Sequence, residues 1–393
     1  MRMLIDVVNF NADASCLDST HWLSALTGGP DSFFCRWLLL YVRNRKRVVL
    51  GMTGSTVSDL QAHNPEAIEL IRNHPEIFQI ILRPYTHDIP LLRTAAGFRY
   101  NLMAGQAVLK SAFREVSGYY LPPELMLMGE QIAFLRRIGV KATFINPAQF
   151  TSDLADRIPA HPYLVKGLKG TELGCLPVQG NLTRSYLRTI QLWDEKEWDL
   201  TVETGADPIR LWRDGESSFL LPEGLAREEF WLTHCPWERG HLGNETYAPV
   251  PDSRFLRSYP VPSFSSWMKE FRMLGYVGRV LEVEKQLDRV PNLARYLWLL
   301  VIGSDILSAV EKSSPLVQLR LSPGGQVIEK YQIRRSERGY EGEEFLVLLE
   351  QQVTGTGDIP ELNHPAFPHL IKAKGRVDHL KSLEPIWDSV TCC

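Results

Sequence analysis

Phe78-Gln79-Ile80-Ile81-Leu82 runs directly into Arg83-Pro84-Tyr85-Thr86-His87-Asp88-Ile89-Pro90, and this junction of an apolar run with a polar, proline-bracketed segment sets the expected fold. A short apolar run without polar alternation reads as a strand covered on both faces, as in a parallel sheet. A helix precedes it, with Asn64 as N-cap and Pro65 at the first helical position. Helix, buried strand and polar loop make one β/α unit, and the form recurs. Residues 4–8 are apolar and β-branched and end in Asn9-Phe10-Asn11-Ala12-Asp13, residues 47–52 repeat the pattern, and residues 141–145 follow a helix over 129–138 closed by Gly139.

This alternation predicts an α/β fold with a parallel sheet flanked by helices, open or closed into a barrel. In either form the loops after the carboxyl ends of the strands hold the site. Those loops are residues 9–13, 85–90, 146–149 and 213–216, and residues 121–124, which follow Tyr119-Tyr120 and a helix ending at Gly118. Past residue 260 the pattern turns helical, over 267–287 and 293–310, with Pro291 between. From residue 316 it becomes strand-like, with Pro323-Gly324-Gly325 turning between 316–321 and 326–333 and a further strand-like run at 344–349. The last forty residues, rich in Pro, Gly and His, read as loop. The division this implies is a barrel-type domain over 1–259, a helical segment over 260–315 and a small β-rich tail over 316–393.

The chain has 393 residues, 44% hydrophobic, enough for one large core or a core plus a smaller domain. Lys and Arg total 43 against 46 Asp and Glu, spread without a long run of one sign, so no field favours nucleic acid as a partner. The opening meets Asp6 before any leader core forms, and no run of about 18 apolar residues follows, so no membrane partner is expected. Four cysteines stand singly and two form the terminal pair Cys392-Cys393, without a CxxC knuckle, which reads as reduced thiols in a cytoplasmic protein. The sequence leaves the oligomeric state open.

Two carboxylates stand out as catalytic candidates. Glu124 follows two stiffening prolines in Gly118-Tyr119-Tyr120-Leu121-Pro122-Pro123-Glu124; a nucleophile needs such fixed presentation, although Pro123-Glu124 also suits the start of a helix. Asp214 follows an apolar run in Ile209-Arg210-Leu211-Trp212-Arg213-Asp214-Gly215-Glu216, which suits an acid/base group at a sheet edge, although Asp-Gly is also a common turn pair. His87 and Asp88, at a strand end, are candidates to bind a hydroxyl or to close the loop. A metal there would need Asp6 or Asp13 as well, no HxxxH pair accompanies His87, and no metal or other cofactor is expected. Trp212 and Trp237 belong to a tryptophan-rich stretch around Asp214 and offer faces for sugar rings or for the core. Asp305, after the apolar residues 297–302, is either a sugar ligand or a helix cap.

The order of these segments resembles glycoside hydrolase family 57, the family of 4-α-glucanotransferases and α-amylases. Leu121-Pro122-Pro123-Glu124 resembles its W-L-x-E nucleophile turn, Arg213-Asp214-Gly215-Glu216-Ser217-Ser218-Phe219 its D-D-G-E-K-F-G acid/base turn, and Tyr85-Thr86-His87-Asp88-Ile89-Pro90-Leu91-Leu92 its Y-Y-H-P-I-L-P-L-L loop. The resemblance covers roughly residues 3 to 310. It implies a (β/α)7-type barrel, a carbohydrate substrate and retaining glycosyl transfer by Glu124 and Asp214, with Asn9, Asn11, Asp13, His87, Asp88, Trp212, Glu216, Trp237 and Asp305 as substrate contacts. Where the family opens with H-x-H-Q-P, this chain reads Asn9-Phe10-Asn11-Ala12-Asp13, which keeps hydrogen bonding but loses imidazole titration. Polysaccharide deacetylases are also similar, through a G-x-x-x-x-x-P-P turn that Val116 to Pro123 resembles, which implies a metal-dependent sugar deacetylase as the alternative; a non-catalytic sugar-binding barrel is the third.

Overall fold

The computed structural model describes residues 3–10, 29–43, 45, 48–123, 127–145, 163–167, 170–177, 218–221, 238–239, 271–303, 306, 317–321, 327–332 and 337–384. Strands β1 (Met3–Phe10), β2 (Val48–Met52), β3 (Phe78–Leu82), β4 (Ser117–Tyr120) and β5 (Ala142–Ile145) lie side by side in chain order, each parallel to the next. Beyond β5 come β6 (Tyr163–Lys166) and β7 (Glu172–Pro177); β7 pairs with β5 in parallel, and β6 lies outside it, antiparallel. On the other side of β1 runs β8 (Ser218–Leu221), antiparallel, and β9 (Glu238–Arg239) follows β6. The architecture is therefore mixed α/β around a mainly parallel sheet. All five residues of β2 are buried, as an unalternating Val-Val-Leu-Gly-Met run requires of a strand covered on both faces.

Helices connect the parallel strands, and their starts follow from local chemistry. α1 (Phe33–Arg43) lies between β1 and β2, and α2 (Gly54–His63) and α3 (Pro65–Asn73) lie between β2 and β3. Thr53 accepts from the Thr56 amide, and Asn64 accepts from Ala67 N at 3.3 Å with Pro65 beside it, as read from the sequence. α4 (Ala95–Ala112) joins β3 to β4 and is capped by Thr94, whose hydroxyl accepts from Gly97 N at 3.2 Å. α5 (Gly129–Arg137) joins β4 to β5 and ends before Gly139, at φ 89°.

Gly118 does not close a helix as expected: α4 stops at Ala112, and Gly118 lies inside β4, where a Cβ would stand 3.1 Å from the Gly139 carbonyl. Its signal was close approach of backbone, which a glycine stop imitates in sequence.

The later part of the chain contributes α6 (Phe271–Glu284), α7 (Asn292–Val301), the antiparallel hairpin of β10 (Val317–Leu321) and β11 (Val327–Gln332), then α8 (Glu337–Thr354) and α9 (Pro368–Ser382). The hairpin matches the reading; the rest of the expected β-rich tail does not. Residues 344–349 lie within α8, because Phe345, Leu346, Leu348 and Leu349 are buried while Val347 is 42% exposed, a helical spacing that six residues of apolar text cannot distinguish from a strand. The last forty residues are not all loop either. Buried Leu370, Ala373, Val377 and Leu380 recur at helical spacing in α9, hidden in the text among lysines and histidines.

These helices pack on the rest of the fold through Trp298, Leu297, Tyr296 and Phe345, all essentially buried. α9 is bound to α2 by Arg376, which donates to both carboxylate oxygens of Asp59 at 3.0 and 2.7 Å, and by a 2.7 Å contact between His379 Nδ1 and Ser58 Oγ. Arg279 of α6 reaches Glu350 and Glu343 of α8. Among the described residues no helix is long and apolar enough to cross a membrane.

Candidate functional site at the carboxyl ends of the strands

The parallel register fixes which chain segments share one edge of the sheet. Phe10 ends β1 beside Met52, Leu50 of β2 lies beside Ile80, and Leu82 ends β3 beside Tyr120. The carboxyl ends of β1, β2, β3 and β4 therefore lie on the same side, which is where an α/β sheet holds its chemistry. The segment after β3 is the best defined. Gly54 N and Ser55 N, at the start of α2, donate to the carbonyls of Pro84 and Tyr85 at 3.0 and 2.8 Å, so the orphan amides of a helix end secure it. On its other side Asn101 of α4 acts as a clamp: its carboxamide oxygen accepts from Thr86 N at 2.8 Å and its nitrogen donates to Thr86 O at 2.9 Å. Gly105 permits this approach, since a Cβ there would stand 2.2 Å from the Arg83 carbonyl oxygen.

This segment was expected as a polar loop at the strand end, and its His87 and Asp88 are only 3% and 2% exposed. They belong to a buried polar network. Arg83, fully buried, donates from one terminal nitrogen to the Leu121 carbonyl at 2.8 Å and from the other to His87 Nδ1 at 2.7 Å. A guanidinium only donates, so His87 Nδ1 accepts. Thr86 Oγ1 donates to the Leu299 carbonyl of α7 at 2.5 Å. Beyond Asp88, Arg93 Nη1 donates to Glu284 of α6 at 2.9 Å, and Thr94 donates to the same carboxylate from its amide at 2.5 Å and its hydroxyl at 2.7 Å. Glu284 thus lies at the N-terminus of α4, where the helix dipole favours an anion.

Burial pushes the Asp88 carboxyl up to about 6, against the opposing effects of the Arg93 charge, a hydrogen bond from Asn101 and the His87 charge; Glu284 adds to the rise. Asp88 Oδ2 lies 4.0 Å from Arg93 Nε, too far for a hydrogen bond, and has no hydrogen-bond partner among the described residues. The Tyr120 hydroxyl, at the end of β4, is held well above its usual value by burial and then by the negative charge of Asp88. The site thus offers a carboxyl able to hold or release a proton in mildly acidic solution, a fixed cation at a backbone turn, and a neutral phenol donor. Among the described residues no group of three or more His, Cys, Asp and Glu is placed to hold a metal ion.

Of the residues singled out in the sequence, His87 and Asp88 are brought together, and the Asn9 backbone lies in β1 opposite Gly51. Glu124, Asp214, Asn11, Asp13, Trp212, Glu216, Trp237 and Asp305 lie outside the described residues. Arg83, Asn101, Arg93 and Glu284 were not singled out. Arg83 did carry a signal, a cation between a buried strand and a proline, and so did Asn101, an amide inside an otherwise apolar helix. Glu284 carried none, since its partners are 190 residues away in the chain.

No protein-family model and no curated protein matches the sequence. Among solved structures, the chain is similar to a 4-α-glucanotransferase from Thermococcus litoralis, at 12% identity and a TM-score of 0.53, over 77% of this chain and 55% of that one. It is also similar to a branching enzyme of glycoside hydrolase family 57 type from Pyrococcus horikoshii, at 11% identity and a TM-score of 0.49, over 95% and 94% of the two chains. An α-amylase from Thermotoga maritima follows at 11% identity and 0.45, over 98% of each. The chain spans about half the length of the glucanotransferase. The likeness to the glucanotransferase is one of fold.

Proposed function

We propose that this chain is a retaining glycoside hydrolase or transglycosidase that acts on a small or modified glycoside in the cytoplasm, with its sheet closed as a (β/α)7-type barrel. The observation that carries this reading is the hold of Arg83 on the Leu121 carbonyl at the end of β4. It fixes the backbone at Leu121, which leaves β4 on the edge of the sheet shared by the ends of β1 and β3, and Glu124 stands three residues later in the sequence. In the sequence Asp214 stands four residues before Ser218, where β8 begins, and β8 runs antiparallel to β1 with Ser218 opposite Asp6.

In this reading Glu124 attacks the anomeric carbon while Asp214 protonates the leaving oxygen, and Asp214 then deprotonates water or an acceptor hydroxyl to release the sugar with retention. Retention calls for the two carboxyl groups to stand about 5 to 5.5 Å apart. Asn9, Asn11, Asp13, Asp88, Glu216 and Asp305 serve the hydroxyls, and Trp212 and Trp237 the ring faces; His87, whose Nδ1 is taken by Arg83, is left out of this set. Turnover of a panel of aryl glycosides by the wild type and by Glu124→Gln and Asp214→Asn, with acetylated sugars in parallel and chelator present and absent, tests it. Glycoside cleavage lost in both variants and indifferent to chelator is the expected result; chelator-sensitive release of acetate instead would replace it with deacetylation.

A further inference from the structure

We propose that Arg83 and His87 form a positioning pair for the β4 turn, His87 acting as the support of Arg83 rather than touching substrate. The inference rests on the glycosidase reading for its effect on turnover, but its geometry lies wholly within described residues. Arg83 follows the last residue of β3 and is fully buried, and one arm of its fork holds the Leu121 carbonyl at 2.8 Å. Leu121 N in turn donates to Leu82 O at 3.1 Å, so the residue that leaves β4 is tied to the end of β3 through both its amide and its carbonyl. Pro122 and Pro123 follow without an amide hydrogen and with restricted φ, so the orientation set at Leu121 carries into the next residues.

The second arm of Arg83 donates to His87 Nδ1 at 2.7 Å. This fixes the imidazole with Nδ1 as acceptor, and it fixes the plane of the guanidinium in return. His87 is held from behind, because the adjacent Thr86 is clamped by Asn101 and tied to Leu299 O. Two glycines make room for the arrangement. A Cβ on Gly51 would stand 2.7 Å from the Leu121 side chain and 3.4 Å from Arg83 Cδ, and one on Gly105 would strike the Arg83 carbonyl at 2.2 Å. An arginine is required because one planar group serves two acceptors in a fixed relation; a lysine keeps the charge and loses the fork.

The charge has its own consequence. A buried cation at the turn favours the ionised form of a carboxylate carried there, which a nucleophile needs. The two properties separate by substitution in the full-length chain, assayed on the 4-nitrophenyl glycoside that the wild type cleaves fastest. Arg83→Lys is expected to lower kcat roughly 10- to 100-fold with KM within about threefold, and to leave the acidic limb of the kcat/KM profile in place. Arg83→Met is expected to lower kcat similarly and to move that limb to higher pH. His87→Asn, whose oxygen replaces the acceptor near Nδ1, is expected to stay within about threefold of wild type, and His87→Phe to imitate Arg83→Lys.

A merely structural role would lower the melting temperature and the active fraction while the folded molecules kept their kcat and pH limb. That pattern, or wild-type behaviour of Arg83→Lys, overturns the inference. Amide hydrogen exchange of peptides spanning residues 117–128 supplies a readout that needs neither substrate nor turnover. Arg83→Lys is expected to speed exchange there at least about tenfold relative to the rest of the sheet, in line with the loss of a charge-assisted bond; unchanged exchange overturns the inference by itself. Failure of the glycosidase reading looks different: the wild type cleaves no glycoside, or Glu124→Gln cleaves as well as wild type, whatever the exchange of the β4 turn.

Discussion

Removal of the Glu284 charge should destabilise the fold more than any change to the ion pairs at its surface. Both Glu284 and Arg93 have fully buried side chains, 2.9 Å apart, and the same carboxylate accepts the amide and hydroxyl of Thr94 at 2.5 and 2.7 Å. Glu284→Gln leaves the Arg93 cation buried and removes the anion from the N-terminus of α4. Breaking a buried pair in this way costs about 3 to 5 kcal/mol, whereas an exposed pair such as Lys285 and Glu282 contributes about 0 to 1 kcal/mol. Because Arg93 is the largest opposing influence on the raised Asp88 carboxyl, the damage should reach the strand-end network as well. Urea unfolding of Glu284→Gln, Arg93→Met and the double variant Arg93→Met with Glu284→Leu forms the test. The double variant should lose at least about 1 kcal/mol less than the sum of its singles, since it leaves neither member of the pair buried without the other. Additive losses, or a Glu284→Gln cost below about 1 kcal/mol, would refute the account of this cluster.

Three further outcomes follow from particular contacts. Asp88 has its folded value raised from 3.8 to about 6, so the folded state binds a proton that the unfolded state lacks between those limits; stability should fall as pH rises from about 4 to 6 and stay level above, by up to about 3 kcal/mol, and Asp88→Asn should flatten this fall in pH-resolved urea titrations. Gly105→Ala should melt far below the wild type or fail to accumulate as soluble protein, because its methyl would meet the backbone of Arg83, Pro84 and Tyr85 at 2.2 to 2.6 Å, and backbone cannot give way as a side-chain tip can. Arg376→Met should speed amide exchange in α9 while leaving β2 and β3 protected, since the bidentate pair with Asp59 binds that helix to α2; equal loosening of both regions would contradict it.

The early β/α units were legible because their signals are local. Asn64-Pro65 marks a helix start by side chain and ring alone, and Phe78 to Leu82 reads as a strand without reference to any distant residue. The failures have a common cause. Gly118, the run at 344–349 and the amphipathic α9 were each misread where a short local pattern has two solutions and tertiary packing chooses between them. At the site, the segment from Tyr85 to Pro90 was found, but its depth was not. Nothing in His87-Asp88 announces that Asn101 of the next helix clamps the neighbouring Thr86, or that the Leu299 carbonyl and Glu284, from helices far along the chain, bond Thr86 and Thr94. Burial there comes from long-range contacts, which composition does not record.

The central claim concerns the nucleophile, and covalent trapping addresses it most directly. The wild-type chain would be incubated with 2-deoxy-2-fluoro-glycosyl fluorides of several sugars, and the intact and digested protein weighed by mass spectrometry. A retaining mechanism predicts one added fluorosugar per chain, on the peptide that contains Glu124, and no adduct in Glu124→Gln. An adduct on another carboxylate, or turnover of glycosides with inversion at the anomeric carbon and no adduct, would contradict it.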